Sequence, residues 1–246
     1  MQPWEGKTMK EYLKRAAAVM VCAALLSSIS ACGSKSGSSS GSSSGEGNLA
    51  GDGPADDLSI TQDEMPYGAM IMQLRPSEND DVKIYVEFDY RYLSEEDGKL
   101  LSDYVYALNN CDAELMEKVF YPPYLEYSYS SAGYSSTEDY LKGFRKNLEE
   151  SLGEGFDYNA ITVDDCYTED DDINVTKFDE IDELLDSIGG GKVSDRINEG
   201  SRRFIYIDIM YGLPDDDFKS SYSLRNHVGQ YLTLYLYDID GVTYVI

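Results

Sequence analysis

Histidine, tryptophan and positive charge are the scarcest features of this chain. Its 246 residues include one histidine, His227, one tryptophan, and 20 basic against 46 acidic side chains, a formal net charge of −26. A single histidine argues against a histidine-based catalytic triad and against a metal site with several histidine ligands. A surface this acidic repels phosphate backbones and anionic lipid headgroups. The composition therefore argues against nucleic acid as a partner.

The sequence also lacks the motifs that build common cofactor and metal sites. The glycines at 189–191 have neither a following Lys-Ser or Lys-Thr nor a preceding strand, so they do not form a phosphate-binding loop. The acidic runs do not match the spacing of an EF-hand calcium loop. We therefore predict no cofactor and no metal site.

No apolar run is long enough to span a bilayer comfortably. The longest, residues 16–31, follows three basic residues and is interrupted by serines near its end, which is typical of a signal peptide. Its last residues, Ile29-Ser30-Ala31-Cys32, resemble the lipobox of bacterial lipoproteins, in which the cysteine is lipidated. The resemblance implies a lipoprotein signal peptide at 1–31 and a lipid anchor on Cys32. The alternative is an ordinary signal peptide that ends at a cysteine.

Cys32 is followed by a Gly/Ser-rich segment, so that residues 32–57 form the lipidated cysteine and a tether. This segment has almost no apolar side chains, so hydrophobic burial cannot offset the conformational entropy that the segment would lose on folding. A Gly/Ser chain of about 25 residues has a root-mean-square span on the order of 28 Å. Lipidation at Cys32 would place the protein at the extracytoplasmic face of the cell membrane. Without residues 1–31 the chain has 16 basic and 44 acidic side chains, a net charge of −28, so the acyl chains alone would hold it there.

The remainder, residues 58–246, is predicted to be a single α+β domain. Period-two alternation predicts a strand at 82–90, and capping residues followed by apolar stripes predict helices that begin after Ser94, Asp112 and Ser136. Pro122-Pro123 is expected to end the second helix and to begin a Ser/Tyr-rich loop. A fourth helix is predicted to end at Gly189. The remaining predicted strands lie at 158–167, 202–212, 220–238 and 242–246, with a hairpin turn at Asp240-Gly241.

A family resemblance appears in two of these segments. Leu101–Pro123, LSDYVYALNNCDAELMEKVFYPP, and the closing DIDGVTYVI resemble the superfamily of nuclear transport factor 2, ketosteroid isomerase and SnoaL-like proteins. The resemblance covers about 95–246 and implies a cystatin-like cone, with helices packed on a curved antiparallel sheet. The pattern is also similar to small Gram-positive lipoproteins of unknown function. In this superfamily a pocket lies between the helices and the concave face, and some members catalyse proton transfer there.

One acidic residue is a candidate for such chemistry. Asp208 is the only acid within the apolar strand FIYIDIMY, where it shares a face with Tyr206 and Met210. If that face is the concave one, Asp208 would lie in the pocket with a raised pKa and serve as a base. If the face is the outer one, Asp208 would keep it solvated. No catalytic residue of the superfamily matches a position here.

Tyrosine is unusually frequent, with 22 in the chain. Tyr231, Tyr235 and Tyr237 alternate with leucines that are expected to face the core, so the tyrosines are predicted on the outer face of the sheet. Such rings suit a protein, a glycan or a small ligand, and they equally suit packing between neighbouring strands. Cys111 and Cys166, the two cysteines of the predicted domain, either form a disulfide or remain as two buried thiols.

These patterns lead to one functional expectation and one alternative. The expectation is a membrane-anchored extracytoplasmic lipoprotein that acts as a binding domain and is not an enzyme. The alternative is a pocket enzyme of the isomerase or dehydratase type that uses Asp208.

Overall fold

The computed structural model describes residues 65–76, 81–171, 175–214 and 221–246. The predicted signal peptide, Cys32 and the tether lie outside these residues, as does the beginning of the predicted domain. Within them, the chain from Tyr67 onwards belongs to one compact unit.

A seven-stranded sheet forms the centre of this unit. The strands run in the order β1-β2-β3-β4-β6-β7, and the short β5 pairs with β4 off this path. All the pairings are antiparallel except that between β2 and β3. The strands are β1 (Ile71–Leu74), β2 (Tyr85–Asp89), β3 (Asp157–Thr168), β4 (Arg203–Gly212), β5 (Tyr222–Ser223), β6 (Leu232–Ile239) and β7 (Val242–Val245).

Six α-helices accompany the sheet in the described residues, which confirms the predicted α+β class. Four lie between β2 and β3, because a parallel pair of strands needs a long crossover connection. The helices are α1 (Glu95–Asn110), α2 (Ala113–Val119), α3 (Pro122–Ser131), α4 (Thr137–Leu152), α5 (Val175–Ile188) and α6 (Leu224–Val228).

The helix starts follow the sequence closely. Ser94 and Asp97 cap each other reciprocally at the start of α1, and Asp112 and Ser136 accept hydrogen bonds from the first turns of α2 and α4. Each cap satisfies backbone N–H groups that have no partner within the helix. The final hairpin also matches the prediction, since Asp240 and Gly241 both have positive φ, 55° and 81°.

Two predicted connections are wrong. Pro122-Pro123 ends α2 but then begins α3. Proline suits the first positions of a helix, because the backbone N–H groups there have no partner within the helix and proline has no N–H. The predicted Ser/Tyr-rich loop is therefore mostly a helix. The predicted strand 220–238 is interrupted by α6, which Ser223 caps and Gly229 ends in the left-handed conformation. His227 consequently lies on a helix.

The main core lies between α1–α4 and one face of the sheet, called here the inner face. Alternate residues of each strand point to this face. They include Val86 and Phe88 of β2, Ile161 of β3, and the three isoleucines of β4. The other face of the sheet, the outer face, carries the residues that the sequence analysis selected.

Both cysteines of the described domain are free thiols, so the disulfide left open by the sequence is not formed. Cys166 points to the inner face from β3 and is 4 % exposed, whereas Cys111 lies at the end of α1 and is partly exposed. Burial raises the pKa of the Cys166 thiol to about 12 and also raises that of Cys111.

We expect these two thiols to react at different rates with an alkylating reagent at pH 8. Cys111 should be modified in the folded protein, whereas Cys166 should react only after denaturation, because burial disfavours its thiolate and blocks access. Mass spectrometry of the two peptides, with and without denaturant, measures the difference. A disulfide-linked pair of peptides in a non-reduced digest would contradict the structure.

Candidate functional site

The outer face combines polar and aromatic side chains from four strands. Residues that are paired in register share a face, so Glu87, Thr162 and Asp208 follow one another across β2, β3 and β4. A register shift between Val163 and Asp165 then turns Asp165 to the outer face opposite Tyr206, and Tyr167 lies opposite Phe204. Without this bulge, Asp165 and Tyr167 would point into the core.

One end of the outer face is covered by α5, which corrects the prediction for two tyrosines. The ring of Phe178 from this helix lies 6.3 Å from the rings of both Tyr235 and Tyr237. Tyr237 is 0 % exposed and Tyr235 is 7 % exposed. The sequence places both on the outer face, as observed, but they belong to a second, aromatic core and are not available to a partner.

Arg202 holds α5 in this position. Its guanidinium donates to Asp182 of α5 and to Glu169 beyond the end of β3, each at 2.8 Å. These two carboxylates share one largely buried cation, so the packing of α5 over the aromatic core depends on Arg202.

At the opposite end of the outer face, β5 and the start of α6 engage Asp208, which changes the interpretation of this residue. Ser223 Oγ donates to Asp208 Oδ2 at 2.5 Å, and the backbone N–H of Arg225 donates to Asp208 Oδ1 at 3.1 Å. Asp208 is 5 % exposed, and it faces away from the core between helices and sheet.

Neither sequence-based expectation for Asp208 is therefore met. It does not lie in an apolar pocket beneath the helices, and it does not face solvent. Both of its oxygens attach the start of α6 to the sheet, which is a structural role. Met210 lies on the same face, half-buried, with Ser223 of β5 as its register partner.

Three tyrosines meet on the outer face next to the end that holds Asp208, two from β3 and β4 and one, Tyr231, directly before β6. Tyr167 and Tyr206 have ring centroids 5.9 Å apart, and Tyr206 and Tyr231 have centroids 5.2 Å apart. Tyr231 is 63 % exposed, and the other two are half-buried. We call Tyr167, Tyr206 and Tyr231 the tyrosine strip. It contains two residues that the sequence selected and one, Tyr167, that it missed.

Carboxylates in two neighbouring strands accept hydrogen bonds from tyrosines on this face. Tyr167 Oη donates to Asp165 Oδ2 at 2.7 Å, and Tyr85 Oη donates to Glu87 Oε2 at 2.6 Å. The bond to Asp165 and burial raise the pKa of Tyr167 to about 12. Burial and the bond to Glu87 raise the pKa of Tyr85 to about 12. Each phenol hydroxyl therefore donates to a carboxylate on the same face of the sheet.

A small cavity lies among the helices α1–α4. The cavity among Tyr104, Met116, Phe120 and Leu141 measures about 10 Å³, which is at most the room for one water molecule.

A second cleft, of about 400 Å³, opens beside the N-terminus of α1 and is lined by Arg91 and Arg203. Each guanidinium is paired with a buried carboxylate, Asp89 for Arg91 and Asp97 for Arg203. Since these pairs neutralise one another, the cleft offers an anion no net positive charge. The pair of Arg203 and Asp97 links β4 to the first turn of α1, and that of Arg91 and Asp89 joins the end of β2 to the turn after it.

The only histidine contacts a serine, a pair that sequence reasoning did not find. Ser151 Oγ and His227 Nε2 lie 3.0 Å apart on the exposed ends of α4 and α6. Among the described residues no carboxylate orients the other ring nitrogen of His227, so the pair lacks the third member of a catalytic triad.

The described ranges contain neither a metal-binding cluster nor a membrane-spanning helix. There, no three His, Cys, Asp or Glu side chains are grouped so that they would hold a metal ion. Nor does any helix in that part of the chain have the length and apolarity needed to cross a bilayer. Comparisons of the whole chain with protein-family models, curated proteins and solved structures gave no match. The tyrosine strip is therefore judged on its geometry alone.

Proposed function

We propose that this protein is a lipoprotein anchored through Cys32 at the extracytoplasmic face of the cell membrane, and that its folded domain binds a partner through the tyrosine strip. The observation that carries the binding role is the position of the strip. α5 covers Tyr235 and Tyr237 at one end of the outer face, whereas in the strip Tyr231 is 63 % exposed and Tyr167 and Tyr206 are half-buried. Tyrosine combines a large apolar ring with a hydroxyl, which suits a surface that is wet when free and buried when bound.

The anchor is supported by the sequence of residues 16–57. An apolar run of signal-peptide length ends at Cys32, and a Gly/Ser-rich tether follows at once. The tether could extend to about 85 Å when fully stretched. This reach would let the domain meet a partner well away from the lipid surface.

We also propose that the domain is a cystatin-like cone of the nuclear transport factor 2 and SnoaL-like superfamily. The packing of α1–α4 on one face of a mostly antiparallel sheet and the terminal hairpin at Asp240-Gly241 are consistent with this assignment. The pairing of β2 with β3 is parallel, whereas the resemblance implies an antiparallel sheet.

The alternative function, a pocket enzyme that uses Asp208, has lost its main support. A general base must reach a substrate from a pocket, and both oxygens of Asp208 are engaged by Ser223 and Arg225 on the outer face. We therefore favour binding over catalysis.

The anchor is tested by replacing Cys32 with alanine in cells that make the full chain. We expect the wild-type protein to incorporate labelled fatty acid and to sediment with membranes, whereas Cys32→Ala should lose the label because the thiol is the acceptor. Cys111→Ala is the matched control and should keep the label. An unlabelled wild-type protein, or a Cys32→Ala variant that is still labelled, would overturn the lipoprotein assignment.

A further inference from the structure

The tyrosine strip lies beside carboxylates that no described basic residue neutralises. Asp165 borders Tyr167 and Tyr206, and Glu87 lies one strand away. Within the described ranges, each accepts a hydrogen bond from a tyrosine hydroxyl, and neither forms an ion pair. Charges that remain uncompensated on a fixed surface attract groups of opposite sign.

The described basic residues near the strip are already bound within the domain. Arg225 is paired with Asp164, and it also lies over the ring of Tyr231 with its guanidinium carbon 5.4 Å from the centroid. Lys177 Nζ lies 4.0 Å from the centroid of Phe204, on the same face of the sheet. The aromatic rings of the outer face therefore already accept cations where the fold provides them.

We infer that the tyrosine strip binds a basic polypeptide segment, with lysine or arginine side chains over Tyr206 and Tyr231 and against the Asp165 carboxylate. This inference rests on the proposed function and adds the chemistry of the partner. An aromatic ring next to a carboxylate holds a cation by two attractions at once, one from the ring and one from the charge. The net charge of −28 beyond residue 31 would accelerate the approach of such a segment.

Charge also separates this partner from the alternatives. An acidic peptide or a phosphate-bearing polymer would meet repulsion from the whole surface. A neutral oligosaccharide would use the rings but gain nothing from Asp165. The carboxylates beside the strip therefore favour a cationic partner.

The test uses the full chain in detergent and three fluorescent probes: decalysine, decaglutamate and a neutral chitin oligosaccharide. Binding is measured by anisotropy at physiological ionic strength, where charges more than about 8 Å apart are largely screened. We expect decalysine to bind and the other two probes to show no saturable binding.

Matched variants separate the strip from the general acidity of the protein. The double variant Tyr206→Ala/Tyr231→Ala should weaken decalysine binding about tenfold, because two ring faces are lost. Tyr90→Ala removes an exposed tyrosine outside the strip and should change the dissociation constant less than about twofold. Asp165→Asn should weaken binding about threefold, whereas Glu126→Gln, an exposed carboxylate on α3, should have no such effect. Circular dichroism checks that each variant remains folded.

The outcomes distinguish this inference from the proposed function. Equal losses in Asp165→Asn and Glu126→Gln, or decalysine binding that the double variant leaves unchanged, would show attraction by net charge alone and overturn the inference. Saturable binding of the oligosaccharide that is lost in the double variant would overturn the inference of a basic partner, while it would support a binding role for the strip. Absence of binding by all three probes would overturn the inference, and the lipid-labelling result would still decide the anchor.

Discussion

Replacing Tyr237 with alanine is expected to lower the free energy of unfolding by about 3 to 5 kcal/mol. The side chain is fully buried between α5 and the outer face, where its ring contacts those of Phe178 and Tyr235. Removing the ring leaves a cavity among groups that cannot collapse completely, so both the transfer free energy and the packing are lost. Denaturant unfolding followed by fluorescence or circular dichroism measures the change.

Two variants show whether the loss belongs to this buried ring. Tyr231→Ala removes the most exposed ring of the same face and should change stability by no more than about 0.5 kcal/mol. Tyr237→Phe keeps the ring and should retain most of the stability. Similar effects of Tyr231→Ala and Tyr237→Ala would mean that α5 does not cover the outer face as described.

Replacing Asp89 with alanine should destabilise the protein by about 3 to 5 kcal/mol. Asp89 is 0 % exposed, and its carboxylate accepts from the guanidinium of Arg91 at 2.6 Å and from the backbone N–H groups of Gly68 and Met70. Loss of the carboxylate leaves a largely buried guanidinium and two N–H groups without this acceptor. Urea unfolding measures the change. The control is Asp103→Ala, which breaks the more exposed pair with Lys83 and should cost less than about 1 kcal/mol.

The same carboxylate predicts a component of acid sensitivity. Burial opposes the charged form of Asp89, but the hydrogen bonds from Arg91, Met70 and Gly68 outweigh it and lower the pKa from 3.8 to about 2. Because the pKa is lower in the folded state, this stabilisation is complete above about pH 4 and is lost as the pH falls through 2. It amounts to about 2 kcal/mol.

Comparison with Asp89→Asn measures this component directly. The stability difference between the wild type and Asp89→Asn should be constant from pH 7 to about pH 4 and should shrink by about 2 kcal/mol as the pH approaches 2. A difference that stays constant throughout this range would show that Asp89 has an ordinary pKa in the folded protein.

Local sequence predicted those parts of the fold whose causes lie within a few residues. The capping residues Ser94, Asp112 and Ser136 mark helix starts because their side chains bond to N–H groups two or three positions further on. The turn at Asp240-Gly241 was predicted for the same reason, since only a few residue types accept positive φ. The prediction failed at Pro122, where proline is compatible both with the end of one helix and with the start of the next.

The candidate site depends on helix packing and on a β-bulge, and the periodicity of apolar residues in the sequence shows neither. Alternation correctly placed Tyr206 and Asp208 on one face of β4, but it could not decide which face this is, nor show that α5 covers Tyr235 and Tyr237. The bulge between Val163 and Asp165 shifts the alternation by one residue, which brings Asp165 and Tyr167 to the strip. A bulge is stabilised by its neighbouring strands, so a single strand gives no clear sign of it.

The sequence by itself determined the α+β class, the helix starts at Ser94, Asp112 and Ser136, the final hairpin, the acidity and the lipobox pattern at Cys32, because each depends on composition or on neighbouring residues. Only the tertiary structure decided which tyrosines are exposed and what Asp208 does. Those properties depend on which helices pack against which face of the sheet, and this packing joins residues far apart in the chain. Tyr167, Tyr206 and Tyr231 meet because β3, β4 and β6 are neighbours and Tyr231 directly precedes β6.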